Sequence, residues 1–310
     1  MPTNPVSVLV PDEAGETALR GIDGLEVIRY NDEDDLLRVE RDVAVLIPGF
    51  RPHSGTVALL EGLPGLKLVQ LRSAGAERWL ACMPKGVALS NCRGAHSAIT
   101  AEWVISAILS SLREIPAFVL NQADRVWQRL ATDTLAGKRV LLLGSGDVAE
   151  HVARRLNGFD LSALSRVGRV RRKGVYSTED LPRLLPEHDV VVLLVPLTPQ
   201  TDRMVNGAFL AAMPDGALLV NAARGRVVDT EALLAELSTR RLRAALDVVD
   251  PDPLPAGHPL WKAPGLLITP HVAGIGTHEG WQDRAYAVVR QQLQHVVRGE
   301  EPPNLVTGEY

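Results

Sequence analysis

Short apolar runs alternate with polar, turn-rich stretches over the first ninety residues. Residues 6–10, 43–47, 68–71 and 87–90 have the length and composition of buried strands, each bounded by Pro, Gly or charge. Residues 32–41 and 55–60, lying between them, have helical character. Strands alternating with helices predict parallel βα units. The period changes at His96. Ala98, Ala101, Val104, Ile105, Ile108 and Leu112 recur every three or four positions and predict a long helix. A second helical stretch runs through Phe118, Val119, Val126 and Leu130. A fresh series then opens, with strands expected at 140–143, 161–165, 190–195, 217–222, 244–247 and 266–269. Helices are expected between them at 148–156, 178–185, 207–212 and 230–238. Six strands with intervening helices is the count of a doubly wound dinucleotide fold. The last predicted helix, 277–298, has no strand after it and is expected to pack back on the first domain.

Composition narrows the class without choosing a function. The 310 residues are 46% hydrophobic and 23% charged, with 26 Gly and 21 Pro, which excludes disordered, collagen-like and coiled-coil chains. At this length two domains are expected. A formal net charge of −4 gives no global drive toward nucleic acid or an anionic membrane. The two cysteines, Cys82 and Cys92, form no CxxC or disulfide framework, as in a reducing compartment. No export signal and no membrane-spanning apolar run is apparent, so a soluble cytoplasmic protein is expected.

Gly144-Ser145-Gly146-Asp147-Val148-Ala149 matches G-x-G-x-x-A. Roughly two G-x-G triplets arise by chance at this glycine content, and the second here is Gly274-Ile275-Gly276. Only the first follows a predicted strand and opens a predicted helix. Gly144 allows the tight turn, Gly146 lets the backbone approach a pyrophosphate held by helix N–H groups, and Ala149 permits close packing. Asp147 suits a helix N-terminus, although its charge opposes a pyrophosphate. The next strand is expected to end near Ser165, where an NAD site usually carries Asp or Glu. Here the tip reads Ser165-Arg166-Val167-Gly168-Arg169, followed by Arg171, Arg172 and Lys173. A hydroxyl and guanidinium groups suit a 2′-phosphate, so NADP(H) is favoured and NAD(H) is the alternative.

Three later segments place reactive groups at expected strand ends: Asn221-Ala222-Ala223-Arg224-Gly225, Asp247-Val248-Val249-Asp250-Pro251-Asp252, and Thr269-Pro270-His271-Val272-Ala273-Gly274. Ligands of open parallel sheets lie outside such ends. With Ser73-Ala74-Gly75 and Val195-Pro196-Leu197-Thr198-Pro199-Gln200-Thr201, these motifs in this order resemble the D-isomer-specific 2-hydroxyacid dehydrogenases over nearly the whole chain. The group includes glyoxylate/hydroxypyruvate reductases and phosphoglycerate dehydrogenases.

The resemblance implies two Rossmann-like α/β domains with doubly wound parallel sheets. A dinucleotide-binding domain, 94–274, would be inserted into a flavodoxin-like substrate domain, 1–93 plus 275–310. The family's catalytic arginine, acid and histidine land on Arg224, Asp252 and His271. Arg224 would bind a 2-keto acid and polarise its carbonyl, His271 would deliver the proton, and Asp252 would orient His271 and favour its charged form. Backbone N–H groups of Ala74 and Gly75 would hold the substrate carboxylate across the cleft from Arg224. Cofactor contacts would come from Thr100, Gly144, Gly146, Asp147, Val148, Ser165, Arg166, Arg169, Val195, Pro196, Thr201, Ala222, Ala223, Asp247, His271 and Gly274, with Asp247 accepting from the carboxamide. No metal is expected. A homodimer joined through helices of residues 96–131 is implied, as is closure of the cleft before hydride transfer.

One departure stands out: the family residue at position 252 is usually Glu. Asp252 would reach His271 by a backbone shift or a water, or Asp250 would serve instead. Arg51 and Arg72 would add positive charge near the substrate, but exposed arginines are common and neither is assigned a role. His96 and His278 are expected to be non-catalytic, and Trp103 and Trp127 to be core or interface. The expected activity is reduction of glyoxylate or hydroxypyruvate. The alternatives are a phosphoglycerate dehydrogenase and a catalytically weak nucleotide-sensing binding protein.

Overall fold

The computed structural model describes residues 5–307, apart from the side chain of His278. The chain divides into two compact units, residues 1–96 with 276–310, and residues 97–275.

The first unit is built on five parallel strands: β1 (Val6–Val10), β2 (Leu25–Arg29), β3 (Val45–Leu46), β4 (Leu68–Gln70) and β5 (Ala88–Ser90). Their order, β2-β1-β3-β4-β5, is the flavodoxin-like one, which reverses direction between β1 and β3. Side chains alternate between two cores. Val8 and Val10 pack on one face with Val45 and Ile47, and Leu9 and Leu46 pack on the other. The last helix, His278–Val297, returns to the first face, where Ala285, Tyr286, Val289 and Leu293 are buried with Val8, Val10 and Leu19. Strand β2 lacks an apolar run because its residues are only half-buried at the sheet edge.

The second unit has seven parallel strands: β6 (Arg139–Leu143), β7 (Ala163–Gly168), β8 (Tyr176–Ser177), β9 (Val190–Leu193), β10 (Leu218–Asn221), β11 (Arg243–Leu246) and β12 (Leu266–Ile268). The order β12-β11-β10-β9-β6-β7-β8 is a dinucleotide-fold sheet with one strand added at the edge. The doubly wound arrangement shows in the alternation. Leu141, Leu143, Val191 and Leu193 face one core, while Val140, Leu142, Val190 and Val192 face the other. The second of these cores is closed by helix Ser97–Leu112 through Ala101, Val104, Ile108 and Leu112.

The second predicted helical stretch is shorter than its pattern suggests. Helix Ile115–Ala123 stops before Val126, and Trp127 lies outside it, fully exposed. The helix buries none of its residues, so no core packing extends it past Ala123. Among the described residues no single helix is long and apolar enough to cross a membrane. The pair Ser97–Leu112 and Ile115–Ala123 reaches that length only together, bent by 66°.

Candidate active site

The glycine loop and the segments carrying Val195, Ala222, Arg224, Asp247, Asp252 and His271 lie at or just beyond the C-terminal ends of strands in the second unit. The glycine loop links β6 to helix Asp147–Leu156, with Gly146 as N-cap. Gly144 sits at φ +132°, and a Cβ there would fall 2.6 Å from the carbonyl oxygen of Leu194. The turn therefore needs glycine twice over, for its backbone angle and for its approach to the end of β9. A Cβ on Gly146 would meet nothing within 4 Å, so open space borders the helix N-terminus. Ala149 is buried beneath it. Bare backbone, a helix N-terminus and adjoining space suit a pyrophosphate.

The basic segment differs from its expected layout. Strand β7 continues to Gly168, because it stays paired with β6 through Leu143↔Val167 and with β8 through Gly168↔Ser177. Ser165 is therefore mid-strand rather than at the tip. His188 Nδ1 donates to Leu184 O at 2.6 Å, which leaves Nε2 to accept the Ser165 hydroxyl at 2.9 Å. Burial holds His188 below the ordinary histidine range, consistent with that neutral ring. Arg166 points to Glu150 at 2.5 Å. Arg169 follows the strand end and is exposed.

Arg172 reaches the glycine loop. Its guanidinium donates to the carbonyl and hydroxyl oxygens of Ser145, at 3.0 and 3.1 Å. It sits in a hairpin closed by reciprocal Arg172–Val175 backbone bonds around Gly174, at φ +74°. The Lys173-Gly174 turn was the signal in the sequence that the chain folds back here.

The remaining cofactor candidates frame neighbouring strand ends. Val195 and Pro196 follow β9, and the Thr201 hydroxyl closes their loop by donating to Pro196 O at 2.6 Å. Ala222 and Ala223 follow β10, where Asn221 accepts from Ala223 N at 2.9 Å and donates to Arg224 O at 3.0 Å. Thr100 lies in the first turn of helix Ser97–Leu112.

Arg224, Asp252 and His271 come from the loops after β10, β11 and β12, three adjacent strands. A Cβ on Gly225 would fall 1.9 Å from Val249 O, so glycine lets the Arg224 loop lie against the loop that carries Asp250 and Asp252. Asp252 Oδ2 accepts from His271 Nδ1 at 2.8 Å, with both side chains partly exposed. The shorter acid makes this contact directly, and Asp250 is not the partner seen.

His271 adopts φ +57°, a conformation unfavourable to a residue with a side chain, so something must hold it. Asp247 does. Its buried carboxylate accepts from the Thr269 hydroxyl at 2.6 Å and from the N–H groups of Val272 and Ala273, each at 2.9 Å. Its carbonyl accepts from His271 N at 2.8 Å. The residue expected to meet the carboxamide is thus also the anchor of the histidine loop, which includes Gly274. In the first unit, Ala74 and Gly75 lie in the loop after β4.

A family model for the D-isomer specific 2-hydroxyacid dehydrogenase, NAD binding domain, matches residues 105–273. The chain belongs to this family. The glyoxylate reductase of Thermofilum pendens is 33% identical over 267 residues, covering 81% of this chain and 78% of that protein. The D-3-phosphoglycerate dehydrogenase of Methanocaldococcus jannaschii is 29% identical across 97% of the chain, which spans 59% of that longer protein. A D-isomer specific 2-hydroxyacid dehydrogenase from Xanthobacter autotrophicus Py2, solved in complex with NADPH and MES, is 30% identical. It superposes with a TM-score of 0.83 over 98% of each chain. The dehydrogenase described here is an NAD(P)-dependent oxidoreductase of small 2-keto and 2-hydroxy acids.

Proposed function

We propose that the protein reduces glyoxylate or hydroxypyruvate to the corresponding 2-hydroxy acid, with NADPH preferred. The observation that carries the reading is the direct Asp252–His271 bond on strand-end loops adjoining that of Arg224. The glyoxylate reductase of Thermofilum pendens supports the substrate class.

The reduced nicotinamide, when bound, supplies hydride to the substrate carbonyl carbon. Gly144, Gly146 and the N-terminus of helix Asp147–Leu156 would hold the pyrophosphate, and Arg169 and Arg172 would meet the 2′-phosphate. Arg224 binds the 2-keto acid and draws electron density onto the carbonyl oxygen. Protonated His271 gives its Nε2 proton to that oxygen, while Asp252 retains Nδ1–H and so fixes the ring. Ala74 and Gly75 supply N–H donors to the substrate carboxylate.

A cytoplasmic homodimer completes the reading. Both cysteines are unpaired, as a reducing compartment keeps them. Helix Ile115–Ala123 exposes Val119 and Leu120 at 59% and 67%, beside Val126 and fully exposed Trp127. A second copy would cover these side chains.

Loss of NADPH absorbance on mixing with glyoxylate, hydroxypyruvate, pyruvate and 3-phosphohydroxypyruvate tests the proposal. Turnover confined to the phosphorylated acid would favour the phosphoglycerate dehydrogenase reading. Tight NADPH binding without turnover of any acid would favour a nucleotide-sensing protein.

A further inference from the structure

In flavodoxin-like sheets a ligand usually enters the crevice between β1 and β3, where strand order reverses. Here the chain fills that crevice with its own arginine. Arg72, two residues beyond β4, has a side chain only 13% exposed, unlike the solvent-facing arginine anticipated above. Its guanidinium donates to Asp12, beyond β1, at 2.6 Å and to Pro48 O, beyond β3, at 3.5 Å. It also lies 5.5 Å from the Trp281 ring and 5.7 Å from the Tyr286 ring, both on the last helix. Asp12 is itself held in place. Oδ1 accepts from Gly15 N at 2.8 Å and from the Tyr286 hydroxyl at 2.7 Å, and Oδ2 accepts from Arg72 and, at 3.4 Å, from Gln282. Burial pushes the Tyr286 phenol well above its ordinary range, which keeps it a neutral donor.

The backbone of Arg72 opens the loop carrying Ala74 and Gly75, and four consecutive carbonyls there are tied down. Arg72 O accepts from His96 Nε2 at 3.3 Å, and Ser73 O from Cys92 N at 2.9 Å. Ala74 O accepts from Asn91 Nδ2 at 2.8 Å, and Gly75 O from Ser73 Oγ at 3.1 Å. The peptide planes of the loop are thereby fixed, with Arg72 as the anchor at its entry.

We infer that Arg72 is a positioning residue: it sets the Ser73-Ala74-Gly75 loop for the substrate carboxylate by filling the β1/β3 crevice from within. This rests on the proposed role of that loop in binding the substrate. A planar, stacked, multiply bonded guanidinium is a brace that lysine reproduces only in part.

Steady-state kinetics with the best 2-keto acid, alongside NADPH titration by fluorescence, test the inference on Arg72→Met, Arg72→Lys and Tyr286→Phe. Arg72→Met is expected to raise KM for the acid about tenfold or more, as misplacement of a binding loop does. Turnover should stay within about threefold and the Kd for NADPH should be unchanged. Arg72→Lys should recover part of the KM, and Tyr286→Phe should raise it by a smaller factor. A folded Arg72→Met with wild-type KM would overturn the inference, as would KM and NADPH Kd rising together. If Arg72→Met does not fold, unchanged KM in both other variants overturns it, and a graded rise in KM supports it. Absence of turnover in the wild type would remove the functional reading and this inference with it. Normal wild-type turnover with an unmoved KM in the variants would remove only the inference.

Discussion

His271 Nδ1 donates to Asp252 Oδ2 at 2.8 Å, so a carboxylate one methylene shorter than the family's usual Glu still contacts the histidine directly. Without that carboxylate the ring loses the acceptor that fixes its orientation and its Nδ1–H tautomer. Asp252→Asn is expected to lower kcat by about 10²-fold or more, with Asp252→Glu retaining more activity than Asn. Stopped-flow single-turnover rates check this. Near-wild-type rates in Asp252→Asn would assign the pair a structural role.

Cofactor choice should follow Arg172 rather than Arg166. Arg172 bonds Ser145 in the glycine loop, whereas Arg166 is engaged by Glu150. Arg172→Ala should reduce the NADPH preference over NADH by about tenfold, the scale of one charge-assisted phosphate contact. Arg166→Ala should leave the ratio within about twofold. Kinetic constants for both cofactors settle the order.

The difference between those two arginines shows where the sequence stops being legible. Apolar runs such as residues 140–143 and 190–193 identify strands because both of their faces are buried. The end of β7 is set instead by how far its backbone stays paired with β6 and with the short strand β8. A three-residue error there moved the expected tip from Gly168 back to Ser165. Strand β2, half-buried at an edge, and β8, two residues long, carry too little apolar pattern to be seen. The strand ends bearing Arg224, Asp252 and His271 were legible from motif order. The support for φ +57° at His271 was not, since it comes from Asp247, distant in sequence.

Asp247 should therefore matter to stability as well as to turnover. Its buried carboxylate takes three hydrogen bonds. Asp247→Ala orphans those donors and is expected to cost about 2 kcal/mol or more, read from urea unfolding. Unchanged stability would show that the loop holds itself.

Acid should destabilise the fold partly through buried histidine. Burial lowers His188, and lowers His96 and His151 to the same sign. On unfolding these rings return to about 6.5, so the unfolded chain binds more protons below that pH. The stability is fully present above about pH 6.5 and is lost as pH falls toward the lowered values. The Tm should drop between about pH 7.5 and 5.5, and the drop should be shallower in His188→Gln. An equally steep drop in the variant would exclude His188 as a contributor.

The exposed apolar helix gives a test of assembly. Val119→Glu with Leu120→Glu places charge where two copies would meet. Analytical ultracentrifugation should find a wild-type dimer and a variant monomer. Equal masses would place the interface elsewhere.

The most direct test of the account compares His271→Ala with the wild type for both turnover of the 2-keto acid and binding of NADPH. A proton donor that touches the substrate should cost about 10³-fold or more in kcat when removed, with the NADPH Kd changed by less than about twofold. Retained turnover, or a parallel loss of turnover and cofactor binding, would contradict the assignment of His271 as the acid.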